Sequence, residues 1–192
     1  MDNNTLVEQH FDEHRAVMEA VKSDMSAQIV DLSKMMAKAL GEDKTIMWCG
    51  NGGSASDSQH LAAELVGRYK KNREPLRSVA LTTDTSVLTC IANDYGYDDV
   101  FIRQVKAVGR KGDILIAIST SGNSENVLRA VKAANEMGII SVALLGKGGG
   151  PIKELATHSL VIPSQTTARI QEAHIFIGHM FCELIEKELG FA

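Results

Sequence analysis

Two pairs of side chains in this sequence are spaced so that each pair could meet one cation. His60 and Glu64 stand four residues apart, about one helical turn, and therefore share a helix face. Gln171 and His179 stand eight apart, about two turns at 3.6 residues each, and share a face of a second segment. Brought together, the pairs would offer two imidazoles, a carboxylate and an amide oxygen, a set suited to zinc or a similar divalent ion. Taken singly, each pair reads by default as a solvated helix face, because spacing alone does not make two helices converge. Asp57 and Glu172 flank the pairs, either as hydrogen-bonding partners that orient the ligands or as plain surface charges. His10, His14 and His158 fall in no such constellation.

Two further stretches are suited to holding an anion. Gly50-Asn51-Gly52-Gly53-Ser54 lets the backbone turn tightly, and a helix starting at Ser54 would aim free N–H groups and its positive dipole end at a ligand. Extended to Ala55, the segment also fits a dinucleotide-binding fingerprint. The ribose-binding acid expected about 20 residues on is missing, however, and the nearest candidate at a strand end is Asp84. Ser119, Thr120, Ser121 and Ser124 set hydroxyls around Gly122 before another helix start, which suits a phosphomonoester. Either loop alone could be ordinary turn and capping chemistry. Two of them on one sheet edge, without a P-loop lysine, favour a sugar phosphate over a nucleoside triphosphate.

The elements that must carry these residues follow from hydrophobic periodicity. Apolar or amphipathic residues recur by threes and fours from Val7 to Leu40, predicting either two helices, the second capped by Ser23-Asp24, or one bent helix, with Gly41 as the stop. Its apolar face covers the domain's own core or meets another subunit. Beyond it, Thr45–Cys49, Ser78–Thr82, Asp113–Ser119, Ile139–Leu145 and Ser159–Ile162 read as strands. Helices are expected at Ser54–Lys71, Ser86–Asn93, Asp99–Val108, Ser124–Met137, Ile152–Ala156 and Thr167–Leu189. Such alternation requires crossover connections, hence an α/β domain whose parallel sheet is covered on both faces. Ligands of these sheets sit beyond the carboxyl ends of the strands, where the glycine and serine loops fall.

The sequence of 192 residues is long enough for one domain with a real core, divided here into a helical segment at 1–41 and an α/β domain at 42–192. Its 20 basic and 24 acidic residues give a net charge of −4 with no basic run, which argues against a nucleic-acid partner. Apolar runs such as Ile114–Ile118 are far shorter than the roughly 18 residues of a membrane helix. A start without a basic, then apolar, leader and an odd set of three cysteines point to a reducing cytoplasm. Cys49, Cys90 and Cys182 lie among apolar neighbours and read as core thiols.

Several stretches resemble a known family. Cys49-Gly-Asn-Gly-Gly-Ser54, Gln59-His60-Leu-Ala-Ala-Glu64-Leu-Val-Gly-Arg-Tyr69, Ile91-Ala-Asn-Asp-Tyr-Gly96, Ile118-Ser-Thr-Ser-Gly-Asn-Ser124 and Ala168-Arg-Ile-Gln-Glu-Ala-His174 are similar to the sugar isomerase (SIS) family, and within it to the branch acting on sedoheptulose 7-phosphate. The resemblance covers nearly the whole chain. It implies a three-layer, flavodoxin-like five-stranded sheet, a homotetramer, one zinc ion per subunit and an aldose–ketose isomerisation that opens bacterial heptose synthesis for lipopolysaccharide. Carried over, it makes His60, Glu64, Gln171 and His179 the metal ligands, with Glu64 and His179 also the catalytic pair. It makes Asn51, Gly52, Gly53, Glu64, Asn93, Asp94, Ser119, Thr120, Ser121, Ser124 and Gln171 the substrate contacts. A related non-enzymatic branch binds a replication initiator and lacks the metal and catalytic side chains; Glu64 and His179 set this chain apart from it.

Overall fold

A computed structural model describes residues 2–191. The chain opens with α1 (Asn3–Gly41) and continues β1 (Ile46–Gly50), α2 (Gly53–Val66), β2 (Ser78–Ala80) and α3 (Thr85–Tyr95). A 3-10 turn (Tyr97–Asp99) leads into α4 (Ile102–Val108), β3 (Ile114–Ser119), α5 (Glu125–Glu136) and β4 (Ile140–Leu145). The chain then forms α6 (Gly150–Leu155), β5 (His158–Val161) and α7 (Thr167–Glu188). The five strands form one sheet in the order β2-β1-β3-β4-β5, every pair parallel.

Both sheet faces are dry, which is why the strands read as unbroken apolar runs. Along β1 and β3, alternate residues point to opposite layers. Ile46, Trp48, Ile114, Ile116 and Ile118 pack in the layer of α1, α2 and α7, while Met47, Cys49, Leu115 and Ala117 pack in the layer of α3 to α6. The chain leaves β1 to form β2 on one side and returns to form β3 on the other, so the sheet reverses direction between β1 and β3. Gly50 lies in register with Ile118, which sets the glycine and serine loops side by side at that reversal.

Helix α1 is a single uninterrupted helix of 39 residues, not two. Asp2 caps its start by accepting from the Thr5 N–H at 2.9 Å. Ser23 is mid-helix instead of a cap, and its hydroxyl donates to the Ala20 carbonyl. From Val17 onwards the stripe Val17, Val21, Met25, Ile29, Leu32, Met36 and Leu40 is buried, whereas the first two-fifths of the helix is exposed, including Leu6, Val7 and Phe11.

Four other expectations need correction. Helix α2 stops at Val66, well before Lys71, because the following stretch is drawn off towards α7 by hydrogen bonds described below. Strand β2 is three residues long, not five. Helix α3 runs on to Tyr95, and the next helix begins only at Ile102. Cys90 is exposed on α3, while Cys49 and Cys182 are buried as expected. Among the described residues no helix is long and apolar enough to cross a membrane.

Helix α7 is tied to the sheet by a buried polar contact. His174 is fully buried and donates from Nε2 to the Leu145 carbonyl at the end of β4, at 3.0 Å. Burial lowers its pKa from 6.5 to about 4. The unfolded chain therefore takes up this proton first on acidification. Its contribution is complete above pH 6.5 and is lost as the pH falls towards 4, by about 3 kcal/mol in all. We expect His174→Gln, whose amide can keep the donor, to show a shallower loss of stability over that pH range in denaturant titrations.

Candidate active site

The two helices that carry the candidate ligands are brought together by glycines. At Gly178 on α7, an added Cβ would lie 2.3 Å from Cδ1 of Leu61 on α2, and Leu61 is fully buried and has nowhere to go. Each of these contact residues is the neighbour of a candidate histidine. The result is that His60 Nε2 and His179 Nε2 stand 2.8 Å apart, with the rings edge to face at a centroid distance of 5.0 Å. Glu64 Oε1 is 3.3 Å from His60 Nε2, and the ligand atoms of all three residues lie within 4.8 Å of one another.

The donor set fits a divalent ion. Zinc bonded at about 2.0–2.1 Å in a tetrahedron sets its ligand atoms about 3.3 Å apart, the spacing of Glu64 from His60, while the two imidazole nitrogens stand somewhat closer at 2.8 Å. Two imidazoles and a carboxylate are also the set from which catalytic zinc sites are commonly built, leaving a position for substrate. Gln171 lies two turns before His179, against the other end of α2. A Cβ added at Gly53 would sit 2.4 Å from Gln171 Nε2, so Gly53 makes room for this amide as Gly178 does for Leu61.

The serine loop is folded on itself. Ser119 Oγ accepts from the Gly122 N–H and lies 3.1 Å from Ser124 Oγ, while Ser121 Oγ accepts from the Asn123 N–H. Ser124 is the N-cap residue of α5, yet its side chain makes no capping bond and pairs with Ser119 instead. The N–H groups of Glu125 and Asn126 at the start of α5 thus remain available to an anion. Gly122 has φ +67, and a Cβ there would meet the Gly149 carbonyl at 1.9 Å. The glycine run after β4 therefore forms one wall of the loop.

A reciprocal amide pair clasps the two loops. Asn51 Nδ2 donates to Asn126 Oδ1 and Asn126 Nδ2 donates to Asn51 Oδ1, both at 2.9 Å. Tyr97 donates its hydroxyl to Asn51 Oδ1 at 3.1 Å, and Asn126 Oδ1 also accepts from the Val127 N–H. The turn bearing Tyr97 follows Asn93 and Asp94, which are exposed and hydrogen-bonded to each other at the end of α3.

The sequence profile of the SIS domain matches residues 9–146. The chain is 52% identical to the phosphoheptose isomerase of Nitratiruptor, over 94% of this chain and 97% of that one. It is 50% identical to phosphoheptose isomerase 1 of Campylobacter jejuni, over 95% and 97%. The chain belongs to the phosphoheptose isomerase family. Among solved structures, that of the Neisseria gonorrhoeae phosphoheptose isomerase superposes with a TM-score of 0.92 at 45% identity, covering 97% of this chain and all of that one.

Within the phosphoheptose isomerase fold, the expected residues fall into three groups. His60, Glu64 and His179 converge; the two loops with Asn51, Gly52, Gly53 and the four hydroxyl residues adjoin at the reversal of the sheet; Gln171 bridges the two regions at Gly53. Glu172 does not serve the ligand cluster, since it pairs with His14 at 2.7 Å and with Arg169, tying α7 to the exposed part of α1. His14 thus belongs to a contact that its spacing did not reveal. Asp57 is half-buried, and its Oδ2 has no hydrogen-bond partner. Burial raises its pKa and the nearby His60 offsets part of the rise.

Asn126 and Gly178 were missed from sequence. An asparagine in the first helical turn and a glycine in a long helix carry weak signals; the helix-breaking cost of about 1 kcal/mol for Gly178 was the one clue available. Replacing it by alanine gains that amount but overpacks against Leu61 at a cost of about 1–3 kcal/mol. We expect Gly178→Ala to lower the melting temperature and the additional change Leu61→Ala to couple favourably with it in a double-mutant cycle. Asn126→Ala strips partners from the Asn51 amide, and a loss of about 1–3 kcal/mol is expected in urea unfolding. Asn51→Ala should then add much less than its own separate effect.

Proposed function

We propose that this chain isomerises sedoheptulose 7-phosphate to D-glycero-D-manno-heptose 7-phosphate, an aldose–ketose conversion that supplies bacterial heptose for lipopolysaccharide. The observation that carries this reading is the meeting of Glu64 with two imidazoles on α2 and α7, where the glycine loop that starts α2 adjoins the hydroxyl-lined serine loop. The serine loop takes the phosphate through the hydroxyls of Ser119, Thr120, Ser121 and Ser124 and the free amides of α5. Asn93 and Asp94 supply polar groups for the sugar hydroxyls, and Gly52 and Gly53 let the backbone approach the substrate.

The reaction moves a proton between C1 and C2 and another between their oxygens, through an enediol. Glu64 has one oxygen facing His60, and the other takes the proton from carbon and returns it to the neighbouring carbon. His179 would pass protons between the two oxygens with its Nε2 released from the ion, since one nitrogen cannot bind a metal and carry a proton at once, and its place beside Glu64 puts both groups within reach of adjacent atoms. His60, Glu64 and His179 would hold one zinc ion per subunit, and Gln171, whose amide here packs against Gly53 at the other end of α2, would have to turn towards them to complete the set. When bound, zinc supplies a Lewis acid that stabilises negative charge on the substrate oxygens.

The exposed apolar stripe of Leu6, Val7 and Phe11 supports assembly of copies of the chain, which we take to be a homotetramer. A groove of about 360 Å³ between α1 and α7, lined by Met18, Val30, Phe176 and Met180, continues that surface. Three free cysteines and a net charge of −4 accord with a cytoplasmic enzyme that has no nucleic-acid partner.

Incubation with sedoheptulose 7-phosphate in D₂O, followed by NMR, tests the reading. Turnover with deuterium entering the product at the carbon beside the carbonyl is expected, lost on chelation and restored by zinc. Glu64→Gln should slow it by about 10²–10⁴-fold while sugar-phosphate binding persists. Normal turnover in that variant would remove Glu64 from the mechanism.

A further inference from the structure

The stretch between α2 and β2 has no regular structure, yet it is anchored more firmly than any exposed loop requires. The Glu186 carboxylate on α7 accepts from the N–H groups of Tyr69, Lys70 and Lys71 at 3.0, 3.1 and 3.1 Å, and from Arg73 Nε at 3.0 Å. The two charged side chains are sealed from solvent, Arg73 at 0% exposure and Glu186 at 2%. Burial alone would raise the Glu186 pKa, but these donors outweigh it and hold the carboxyl below its ordinary value. Arg73 spends its remaining donors on backbone: Nη1 on the Leu65 and Glu74 carbonyls, Nη2 on the carbonyl of Glu64 itself at 3.0 Å.

One consequence of this anchoring reaches the reacting groups. Tyr69 lays its ring on the imidazole of His179, with the centroids 5.6 Å apart and the planes within 18° of parallel. His60 meets the same imidazole at its edge. The His179 ring, whose terminal torsion is otherwise broad, is therefore confined on a face and on an edge. Glu186 follows His179 by seven residues, about two turns, so a single face of α7 presents both the imidazole and the carboxylate that anchors its cover.

We propose that Tyr69 is a positioning residue for His179, and that the buried Glu186–Arg73 pair exists to keep Tyr69 and the end of α2 in place. The proposal rests on the functional reading of His179 given above. Tyr69 works by its ring face, which aims Nε2 of His179 at the point shared with His60 and Glu64. The phenol hydroxyl is not needed for this. A displaced imidazole of this kind costs rate much more than substrate affinity, since a shift of 1 Å in a reacting group is worth about 10²-fold.

The test compares Tyr69→Ala, Tyr69→Phe and Arg73→Lys in the full-length protein. In the sugar-phosphate isomerase assay, Tyr69→Ala should lower kcat by about 10–100-fold with KM changed less than about threefold, and Tyr69→Phe should recover most of the loss. Arg73→Lys should resemble Tyr69→Ala, because a lysine cannot span Glu186 and three carbonyls at once. Crystal structures of the Tyr69 variants supply a readout separate from activity: the His179 ring in more than one orientation in the alanine variant and in one orientation in the phenylalanine variant. An equal defect in Tyr69→Phe, a rise in KM with kcat unchanged, or a singly oriented His179 in Tyr69→Ala would each overturn the proposal. If the unmodified protein does not isomerise the sugar phosphate, the functional reading fails, and the His179 orientations still decide the positioning role.

Discussion

The structure depends on how closely α2 and α7 approach. Helices with ordinary side chains at the contact stay about 8–10 Å apart, and the ends of two imidazoles and a carboxylate then meet only if the residues beside them give way. Glycine gives way at both ends of this contact, Gly178 against Leu61 and Gly53 against the amide of Gln171. Each replaces apolar or hydrogen-bonding bulk on its own helix with room for its neighbour's. The distances among His60, Glu64 and His179 are thus set by a steric decision made one residue away from the histidines, in the core.

A second constraint aligns that cluster with the anion loops. The sheet reverses between β1 and β3, so the glycine and serine loops leave adjacent strands from the same edge. Adjacency alone would leave two flexible loops. The amide pair of Asn51 and Asn126, with the Tyr97 hydroxyl added, turns them into one unit and carries the end of α3 with it. The polar atoms of this pair satisfy each other, which makes the clasp rigid at little desolvation cost. The Asn51 side chain, expected from sequence to face substrate, takes part in this clasp through Oδ1 and one of its two Nδ2 donors, which leaves one amide donor and the loop backbone for a ligand.

What could be read in the sequence were features carried by local periodicity. Strands with two buried faces show as apolar runs, and their boundaries came within one residue for β1, β3, β4 and β5. Ligand pairs spaced four and eight apart are visible because a helix repeats every 3.6 residues. Features set by tertiary contact were not visible. In Gly67-Arg-Tyr-Lys-Lys-Asn-Arg73 only Gly67, the C-cap of α2, signals that the helix ends at Val66, and the carboxylate that captures the rest of the stretch lies on α7, more than a hundred residues later. Cys90 sits among apolar neighbours in sequence and still faces outward, because the side of α3 turned to the core is that of Ile91. The pairing of Glu172 with His14 likewise joins opposite ends of the chain.

The Glu186–Arg73 pair shows why such distant contacts are made with charge. A sealed ion pair is a poor way to gain stability, since the cost of removing two ions from water offsets most of their attraction, and apolar residues of equal volume often serve better. Apolar packing, however, has no direction, and apart from Tyr69 the stretch it would have to hold, Lys70-Lys71-Asn72-Arg73, has little apolar surface to bury. A carboxylate with four donors fixes both position and orientation, and the planar guanidinium extends that fixation to the last carbonyls of α2. Specificity of geometry is what the pair supplies. Its location, two turns along the same helix face from His179 and hydrogen-bonded to the backbone of Glu64, puts that specificity beside the two groups to which we assign proton transfer.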